Sequence, residues 1–204
     1  MDGQSSSSNG CRWFLTSRPS CGRAPGSRTW GCGSGQALIA LAGAFPAITG
    51  AGYDVDPISV ERARRAAAEA GVADRISYQV LDAAAGLPDS FDVITTFDVV
   101  HDAIDPLGLL RSIRDALRPG GSYLCLEINC SDQATANTGP IATLLYGFSV
   151  LYCMTTSLAE DGEGLGTLGL PAPVLRDLAA KAGFAQVRQV EMDNPFNSLY
   201  ELTR

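Results

Sequence analysis

The chain has 204 residues, 46% of them hydrophobic, which is enough for one α/β domain with a sizeable core and short for two. Its net charge of -7 argues against broad nucleic-acid binding, because a phosphate backbone attracts a basic surface. One His, with no His/Cys cluster at metal-ligand spacing, predicts no zinc or other metal site. Six Cys without a secretory leader favour reduced thiols and a cytoplasmic protein.

The first 30 residues differ in composition from the rest of the chain. They contain four Arg, one acidic residue and a Ser/Gly-rich start, and they lack the period of a helix or a strand. We therefore predict an atypical, irregular segment over 1–30 that leaves no room for a strand before Gly31, with 1–25 readily trimmed by proteases. A wrong start site, an out-of-frame stretch or a transit-like peptide would each explain the composition. A single domain is expected over 31–204, with an apolar insertion near 131–170.

Strand and helix signals alternate from Gly31 onward. The predicted elements are helix 37–44, strand 47–54, helix 57–71, strands 75–81 and 91–97, helix 107–117, a turn at 118–121, strand 122–128, helix 173–183, and strands 185–192 and 196–203. This alternation predicts βαβ units, and so a doubly wound, Rossmann-like α/β fold with a mostly parallel sheet.

One long apolar segment interrupts this pattern. No charged residue occurs between Asp132 and Glu160, and residues 141–158 are about as long as a membrane span. The Ser, Thr and Tyr residues within the segment and the absence of basic flanks argue against a span. We expect a buried helix or a lid beside the sheet, or a surface for a homodimer, and no contact with a membrane.

Three glycines at alternate positions precede the first predicted helix. Gly31, Gly33 and Gly35 would let the backbone pass close to a ligand, and the N–H groups of the following helix would point at it. The pattern alone is weak, because many glycine-rich turns are only turns.

An acidic residue follows each of the next two predicted strands. Asp54 lies about 20 residues after the glycines, where an acid in a doubly wound fold accepts hydrogen bonds from ribose hydroxyls. Asp82 is a candidate for an adenine amino group. A helix cap or a loop acid is the structural alternative for each. With the glycines, these two acids predict a nucleotide-like pocket at the strand ends.

The whole stretch 31–204 resembles the class I S-adenosylmethionine-dependent methyltransferases. The matching sequences are GCGSG, GYDVD, LDAA, FDVITTFDVVHD and LRPGGSYLCLE. VVHD followed by a long apolar insertion is similar to the catalytic domain of bacterial winged-helix-containing methyltransferases. The resemblance implies an antiparallel last strand, S-adenosyl-L-methionine as cofactor, and methyl transfer to a small-molecule acceptor, for example a hydroxyl.

The resemblance also implies residue roles. The glycine loop would hold the methionine end of the cofactor, Asp54 the ribose, and Asp82 with Ala83 the adenine amino group. Val55 would pack on the adenine, and Phe97 would line the pocket.

His101 is the candidate catalytic residue. Related small-molecule O-methyltransferases remove the acceptor proton with a His-Asp pair, which His101-Asp102 matches. The alternative is that His101 only caps or packs a helix start, since many class I methyltransferases act by alignment without a base.

Two alternative functions remain open. Thr29 stands where the family has an acid before the glycine loop, so the first, central strand is poorly encoded and a truncated or degenerate domain without activity is one alternative. A NAD-dependent oxidoreductase is another. Gln36 argues against it, because the third glycine of G-x-G-x-x-G would stand there.

Overall fold

The computed structural model describes residues 26–30 by their backbone, and residues 34–82, 85–88 and 90–204 in full. The predictions for 1–25, Gly31, Gly33 and Ala83 lie outside the described residues. The strands are β1 Gly26–Trp30, β2 Thr49–Asp54, β3 Ile76–Val80, β4 Phe91–Phe97, β5 Leu117–Ile128, β6 Gln186–Val190 and β7 Asn197–Thr203. The helices are α1 Gln36–Ala44, α2 Pro57–Glu69, α3 Pro106–Ala116, α4 Gly139–Phe148, α5 Met154–Ala159 and α6 Ala172–Ala182. Short 3₁₀ turns occupy Val100–Asp102 and Ala134–Ala136, and a π-helical turn, Ser149–Cys153, joins α4 to α5.

The seven strands form one open sheet in the order β3-β2-β1-β4-β5-β7-β6. The first five strands in this order pair in parallel, and β7 is antiparallel to both of its neighbours. The predicted mostly parallel sheet with an antiparallel last strand is therefore confirmed. One apolar cluster packs α1 and α2 on the sheet around Leu38 and Val60, and the larger cluster packs α3 and α6 around Ile113 and Leu175.

The first strand departs from the sequence prediction. Gly26–Trp30 pairs with Thr49–Tyr53 of β2 on one side and, through Ser27–Trp30, with Val93–Thr96 of β4 on the other. The expectation of no room for a strand before Gly31 is therefore wrong for these five residues. Backbone pairing on both sides compensates for a sequence of low β propensity, since each peptide group in a central strand has partners in two neighbours.

The predicted turn at 118–121 also differs. These four residues are part of β5, but the pairing jumps there from Phe91 opposite Leu117 to Val93 opposite Ser122. Gly120 has a φ of 79°, a conformation that suits glycine. The Pro-Gly-Gly sequence thus forms a bulge within a strand, because flanking residues on both sides continue to pair with β4.

The apolar insertion forms a continuous helix from Gly139 to Ala159, which we call the insertion helix. It is long and apolar enough to cross a membrane by length and composition, but only 17% of its most apolar stretch is buried in the protein. The expectation of a buried helix is therefore wrong, while the alternative of a lid beside the sheet stays a prediction. Length and composition alone are weak evidence for a span.

Gly35 is fixed by packing as well as by its position before α1. Its φ is 79°, and a Cβ there would lie 2.7 Å from Tyr78 Oη and 2.8 Å from Ala63 Cβ. Tyr78 Oη donates a 2.8 Å hydrogen bond to the Gly35 carbonyl. Glycine is thus required where α1, α2 and β3 meet.

We predict that Gly35→Ala lowers the free energy of unfolding by about 2–4 kcal/mol, because left-handed strain and a steric clash add. Chemical denaturation measures the change. Gly43→Ala is the matched control in the same helix, since its Cβ would have no heavy atom within 4 Å and alanine favours helix. A Gly35→Ala protein as stable as Gly43→Ala would contradict this packing argument.

Candidate active site

The predicted acids lie side by side at the carboxyl ends of the parallel strands. Asp54 ends β2, and its carbonyl accepts a 3.0 Å hydrogen bond from Leu81 N, one residue before Asp82. Asp54 Oδ1 also accepts from Asp56 N at 3.0 Å. Asp54 is partly buried and Asp82 is exposed. The structure therefore brings the two acids to adjacent strand ends, where doubly wound sheets bind ligands.

The helix-cap alternative belongs to Asp56 rather than Asp54. The Asp56 carboxylate accepts hydrogen bonds from Ile58 N at 3.0 Å and Ser59 N at 2.9 Å at the start of α2. Because Asp56 supplies the cap, the carboxylate of Asp54 is not needed for that purpose.

Two apolar side chains stand exposed at the same edge. Val55, after β2, is 64% exposed, and Phe97, at the end of β4, is 37% exposed. Gly35 lies at the N-terminus of α1, which has no side-chain cap. An adenine ring needs apolar contacts of this kind beside polar groups for its edge.

His101 is buried and held by a carboxylate from the neighbouring strand. It is 4% exposed, and its Nδ1 lies 2.5 Å from Glu127 Oε2. The other oxygen of Glu127 accepts hydrogen bonds from Val100 N at 2.8 Å and Val99 N at 3.3 Å. Glu127, at 1% exposure near the end of β5, therefore fixes both the turn after β4 and the imidazole that the turn carries.

The other edge of the imidazole faces Asp102 and the insertion. His101 Nε2 lies 3.3 Å from Asp102 Oδ1, and that oxygen is buried without an aligned hydrogen bond among the described residues. The insertion closes over this turn: Gly166 N donates to the His101 carbonyl at 3.2 Å, and Ser157 Oγ to the Ala103 carbonyl at 3.2 Å. The predicted His-Asp pair is therefore a Glu-His-Asp arrangement in the structure.

Opposing influences act on the imidazole. Burial alone would lower the pKa of His101, but the hydrogen bond that its Nδ1–H donates to Glu127 and the charges of Glu127, Asp102 and Asp98 outweigh burial and raise the pKa above its usual 6.5. The imidazolium is therefore stabilised, as a group that receives a proton requires.

Asp98 is the exposed ionisable group beside this buried pair. It has a φ of 54°, unusual for a residue other than glycine, and its Oδ1 accepts a 2.9 Å hydrogen bond from Asn197 Nδ2. Loss of hydration, and secondarily the charge of Glu127, raise the pKa of Asp98 to about 6, while His101 opposes this rise. Backbone strain of this kind is common at functional sites.

The described residues include two groups close enough to hold a metal ion. One is His101, Asp102 and Cys153, and the other is Asp98, His101 and Glu127. Sequence spacing could not predict either group. Burial raises the pKa of the Cys153 thiol, while a zinc ligand must be a thiolate. The short His101–Glu127 contact fits a shared proton, so we assign no metal.

Sequence reasoning missed the roles of Glu127 and Asp98. The signal for Glu127 was one acid in the apolar strand sequence LCLEI, since an unpaired buried carboxylate is costly. The sequence carried no comparable signal for Asp98, because its partner Asn197 is 99 residues away.

We predict that Asp98→Asn raises the melting temperature at pH 8 and leaves it nearly unchanged at pH 4. A folded-state pKa of about 6 means that folding disfavours the ionised carboxyl, so stability is lost as the pH rises through that value. Asparagine has no charge, tolerates positive φ and can still accept from Asn197. Asp161→Asn is the control for the backbone effect of the substitution, because Asp161 also has a positive φ, 56°. Equal shifts for both variants at pH 8 would refute the proposed cost.

Comparison with known proteins agrees with this geometry. A family model described as a methyltransferase domain matches residues 30–123. Ubiquinone biosynthesis O-methyltransferase from Aeromonas salmonicida (strain A449) is 34% identical over 107 residues, which cover 51% of this chain and 43% of that protein.

Solved structures extend the likeness over most of the chain. An O-methyltransferase family 2 protein from Planctomyces limnophilus, in complex with apigenin, is 21% identical with a TM-score of 0.70, covering 88% of this chain and 51% of that one. The O-methyltransferase NcsB1 from neocarzinostatin biosynthesis, with S-adenosyl-L-homocysteine and 1,4-dihydroxy-2-naphthoic acid, is 24% identical with a TM-score of 0.65, covering 88% and 49%. The chain thus spans about half the length of these relatives. Residues 30–123 are similar to a methyltransferase domain, and the solved structures show that the chain shares the fold of these methyltransferases.

Proposed function

We propose that this protein transfers the methyl group of S-adenosyl-L-methionine to a hydroxyl of a small molecule. The observation that carries this proposal is the buried Glu127-His101 pair, which follows β4 and lies at the same edge of the parallel sheet as the ends of β2 and β3, where Asp54 and Asp82 stand. The cofactor supplies an already activated methyl group, so the protein must bind it, align the acceptor and remove a proton.

The described residues fit such a cofactor. Asp54, at the end of β2, offers carboxylate oxygens for two ribose hydroxyls. Asp82, which follows β3, offers a carboxylate oxygen that can accept a hydrogen bond from the adenine amino group. Val55 and Phe97 offer exposed apolar surface at the same edge. The uncapped N-terminus of α1, after Gly35, adds N–H groups suited to a carboxylate. Gly31, Gly33 and Ala83 remain predicted contacts.

We propose His101 as the base and Glu127 as the residue that positions it. Glu127 accepts a hydrogen bond from Nδ1–H, so Nδ1 keeps its proton and Nε2 is the nitrogen that can take a proton. Methylation would replace the bond from the methyl carbon to the sulfonium sulfur by a bond to the acceptor oxygen, and S-adenosyl-L-homocysteine would leave as a neutral thioether. The proton of the acceptor hydroxyl would move to Nε2 of His101, and the imidazolium would then lie between Glu127 and Asp102. Nε2 faces Asp102 beneath the insertion, so the acceptor must approach on that side.

The structure bears differently on the two alternatives, catalysis without a base and a degenerate domain without activity. Catalysis by alignment alone is favoured by the 4% exposure of His101. A degenerate domain was suggested by the poor first strand, and that argument loses force because Gly26–Trp30 pairs on both sides. The free thiols of Cys125, Cys130 and Cys153 fit the reducing cytoplasm that we propose as the location.

We predict that Asp54→Ala weakens binding of S-adenosyl-L-homocysteine by about 1.5–3 kcal/mol, or about 10–150-fold, because hydrogen bonds to a charged acceptor are lost. Isothermal titration calorimetry measures the affinity, with NAD as the competing ligand. Asp54→Asn keeps an acceptor for Asp56 N and should lose less. Asp115→Ala removes an equal charge from the exposed side of α3 and should bind normally. Tighter binding of NAD than of S-adenosyl-L-homocysteine would favour the oxidoreductase.

We predict that the His101 imidazole titrates above pH 6.5 and that Glu127→Gln lowers its pKa, because the charge that stabilises the imidazolium is removed. His101 is the only histidine in the chain, so its Cε1 proton gives one resolvable NMR signal. The rate of methyl transfer should rise with pH through the same pKa, since the base must be deprotonated.

The same prediction has a kinetic part. His101→Gln should lower turnover by about 10²–10⁴-fold and leave S-adenosyl-L-homocysteine affinity unchanged. The probe acceptor is 1,4-dihydroxy-2-naphthoic acid, which one structural relative binds. Near-normal turnover in His101→Gln would instead assign catalysis to alignment, with His101 as a structural residue.

A further inference from the structure

A small polar cavity lies where β6 and β7 are joined, and its volume is about 200 Å³. Asn197 begins β7 opposite Ile128, the last residue of β5, because these two strands are antiparallel. β5 in turn pairs in parallel with the end of β4, where Phe97 lies opposite Leu126. The cavity is therefore at the same edge of the sheet as the turn that carries His101. Five of its lining residues have an amide or a hydroxyl: Asn129, Gln189, Asn194, Asn197 and Ser198.

Hydrogen bonds within the protein hold the walls of this cavity in place. Ser198 Oγ accepts a 3.2 Å hydrogen bond from Gln189 Nε2 and donates one of 3.2 Å to Asn129 Oδ1. Asn194 Oδ1 accepts hydrogen bonds from two backbone N–H groups at the start of β7, at 2.8 Å and 3.2 Å. The cavity is thus preformed, and a ligand would not have to order its walls.

The same amides retain unused hydrogen-bonding groups. Among the described residues, Gln189 Oε1, Asn194 Nδ2 and Asn197 Oδ1 have no hydrogen-bond partner. The cavity therefore offers both acceptors and a donor. A hydroxyl can donate to an amide oxygen and accept from an amide nitrogen, so a group with several hydroxyls matches this mixture.

The charges around the cavity favour an uncharged ligand. Glu191 is part of the lining, and no lining residue is basic. Asp98 adds a second carboxylate next to Asn197. A carboxylate or phosphate group would therefore meet charges of its own sign. Glu191 is exposed, so its attraction for a cation is screened by water and salt.

Two contacts join the cavity to the residues around the proposed base. Ser198 lies directly opposite Glu127 in the pairing of β5 with β7, so the two side chains are on the same face of the sheet. Asn197 Nδ2 donates to Asp98, which follows β4. Asn129 lies two residues beyond Glu127, a distance of about 7 Å along an extended chain. A benzene ring with two para oxygens has a similar length.

We propose that this cavity is an acceptor subsite, which binds an uncharged, hydroxyl-rich group on the far side of the ring whose hydroxyl is methylated. Its volume corresponds to roughly seven water molecules at ~30 Å³ each, which is room for one hexose. The subsite rests on the proposed function, because it specifies the acceptor class of the same reaction.

Three acceptors that differ only at the para position test this proposal. Arbutin (4-hydroxyphenyl β-D-glucopyranoside), 4-methoxyphenol and 4-hydroxyphenoxyacetic acid each have one phenolic hydroxyl para to an ether oxygen. They end in a glucose, a methyl group and a carboxylate. With S-adenosyl-L-methionine and the full chain, kcat/KM should be about tenfold or more higher for arbutin than for 4-methoxyphenol, as two neutral hydrogen bonds would give. It should be lowest for the carboxylate.

Gln189→Leu should lower the ratio of kcat/KM for arbutin to kcat/KM for 4-methoxyphenol by about 3–10-fold, because one amide is lost and the side chain keeps nearly the same shape. Gln186→Leu is the matched control and should keep the wild-type ratio, since Gln186 is exposed on the same strand and does not line the cavity. Thermal melts followed by circular dichroism check folding, and Asn129→Leu replaces Gln189→Leu if that variant does not fold.

Saturation-transfer NMR on the complex with S-adenosyl-L-homocysteine separates the subsite from the activity. The glucosyl protons of arbutin should receive saturation from the wild type and from Gln186→Leu, and less from Gln189→Leu. This pattern without turnover would refute methyl transfer to these phenols and still support the subsite. Equal kcat/KM for arbutin and 4-methoxyphenol, a preference for the carboxylate, or glucosyl saturation that is absent or equal in both variants would overturn the subsite.

Discussion

The carboxylate of Glu127 connects the strand that carries it to the turn that carries His101. One oxygen accepts from the backbone of Val99 and Val100, and the other pairs with His101 Nδ1. A buried carboxylate is costly unless its oxygens are bonded, and here both oxygens have partners on one turn. Removing this side chain would therefore free the turn and the imidazole together. The turn after β4 is held in one conformation mainly by its hydrogen bonds to Glu127 of β5.

The same pairing sets the charge balance of the site. Asp98, Asp102 and Glu127 surround a single imidazole, and together they raise the pKa of His101 although burial acts in the opposite direction. For Asp98 the charged form is disfavoured, because loss of hydration and the charge of Glu127 raise its pKa to about 6. Protonation of Asp98 therefore affects His101, and protonation of His101 affects Asp98. The pH dependence of the site is thus a property of these groups together rather than of one residue.

The sequence predicted local elements and strand ends better than it predicted side-chain partners. β4 lies at 91–97 as expected, and Asp54 lies at the end of β2, because alternating apolar residues and punctuation by Pro, Gly and Asp are local signals. Gly26–Trp30 was missed because its strand conformation depends on pairing with two distant strands. Glu127 lies 26 residues from His101, and Asn197 lies 99 residues from Asp98, so only the folded sheet brings them together.

Hydrogen bonds connect the insertion helix and the loop after it to residues 101–104, the segment that begins with His101. The loop after the insertion helix donates from Gly166 N to the His101 carbonyl and from Glu163 N to the Ile104 carbonyl, and the helix itself donates from Ser157 to Ala103. The insertion helix and the loop after it are thus hydrogen-bonded to the short segment that carries the imidazole. Unfolding of the helix would therefore also release the segment that holds the proposed base, because these three hydrogen bonds join the two.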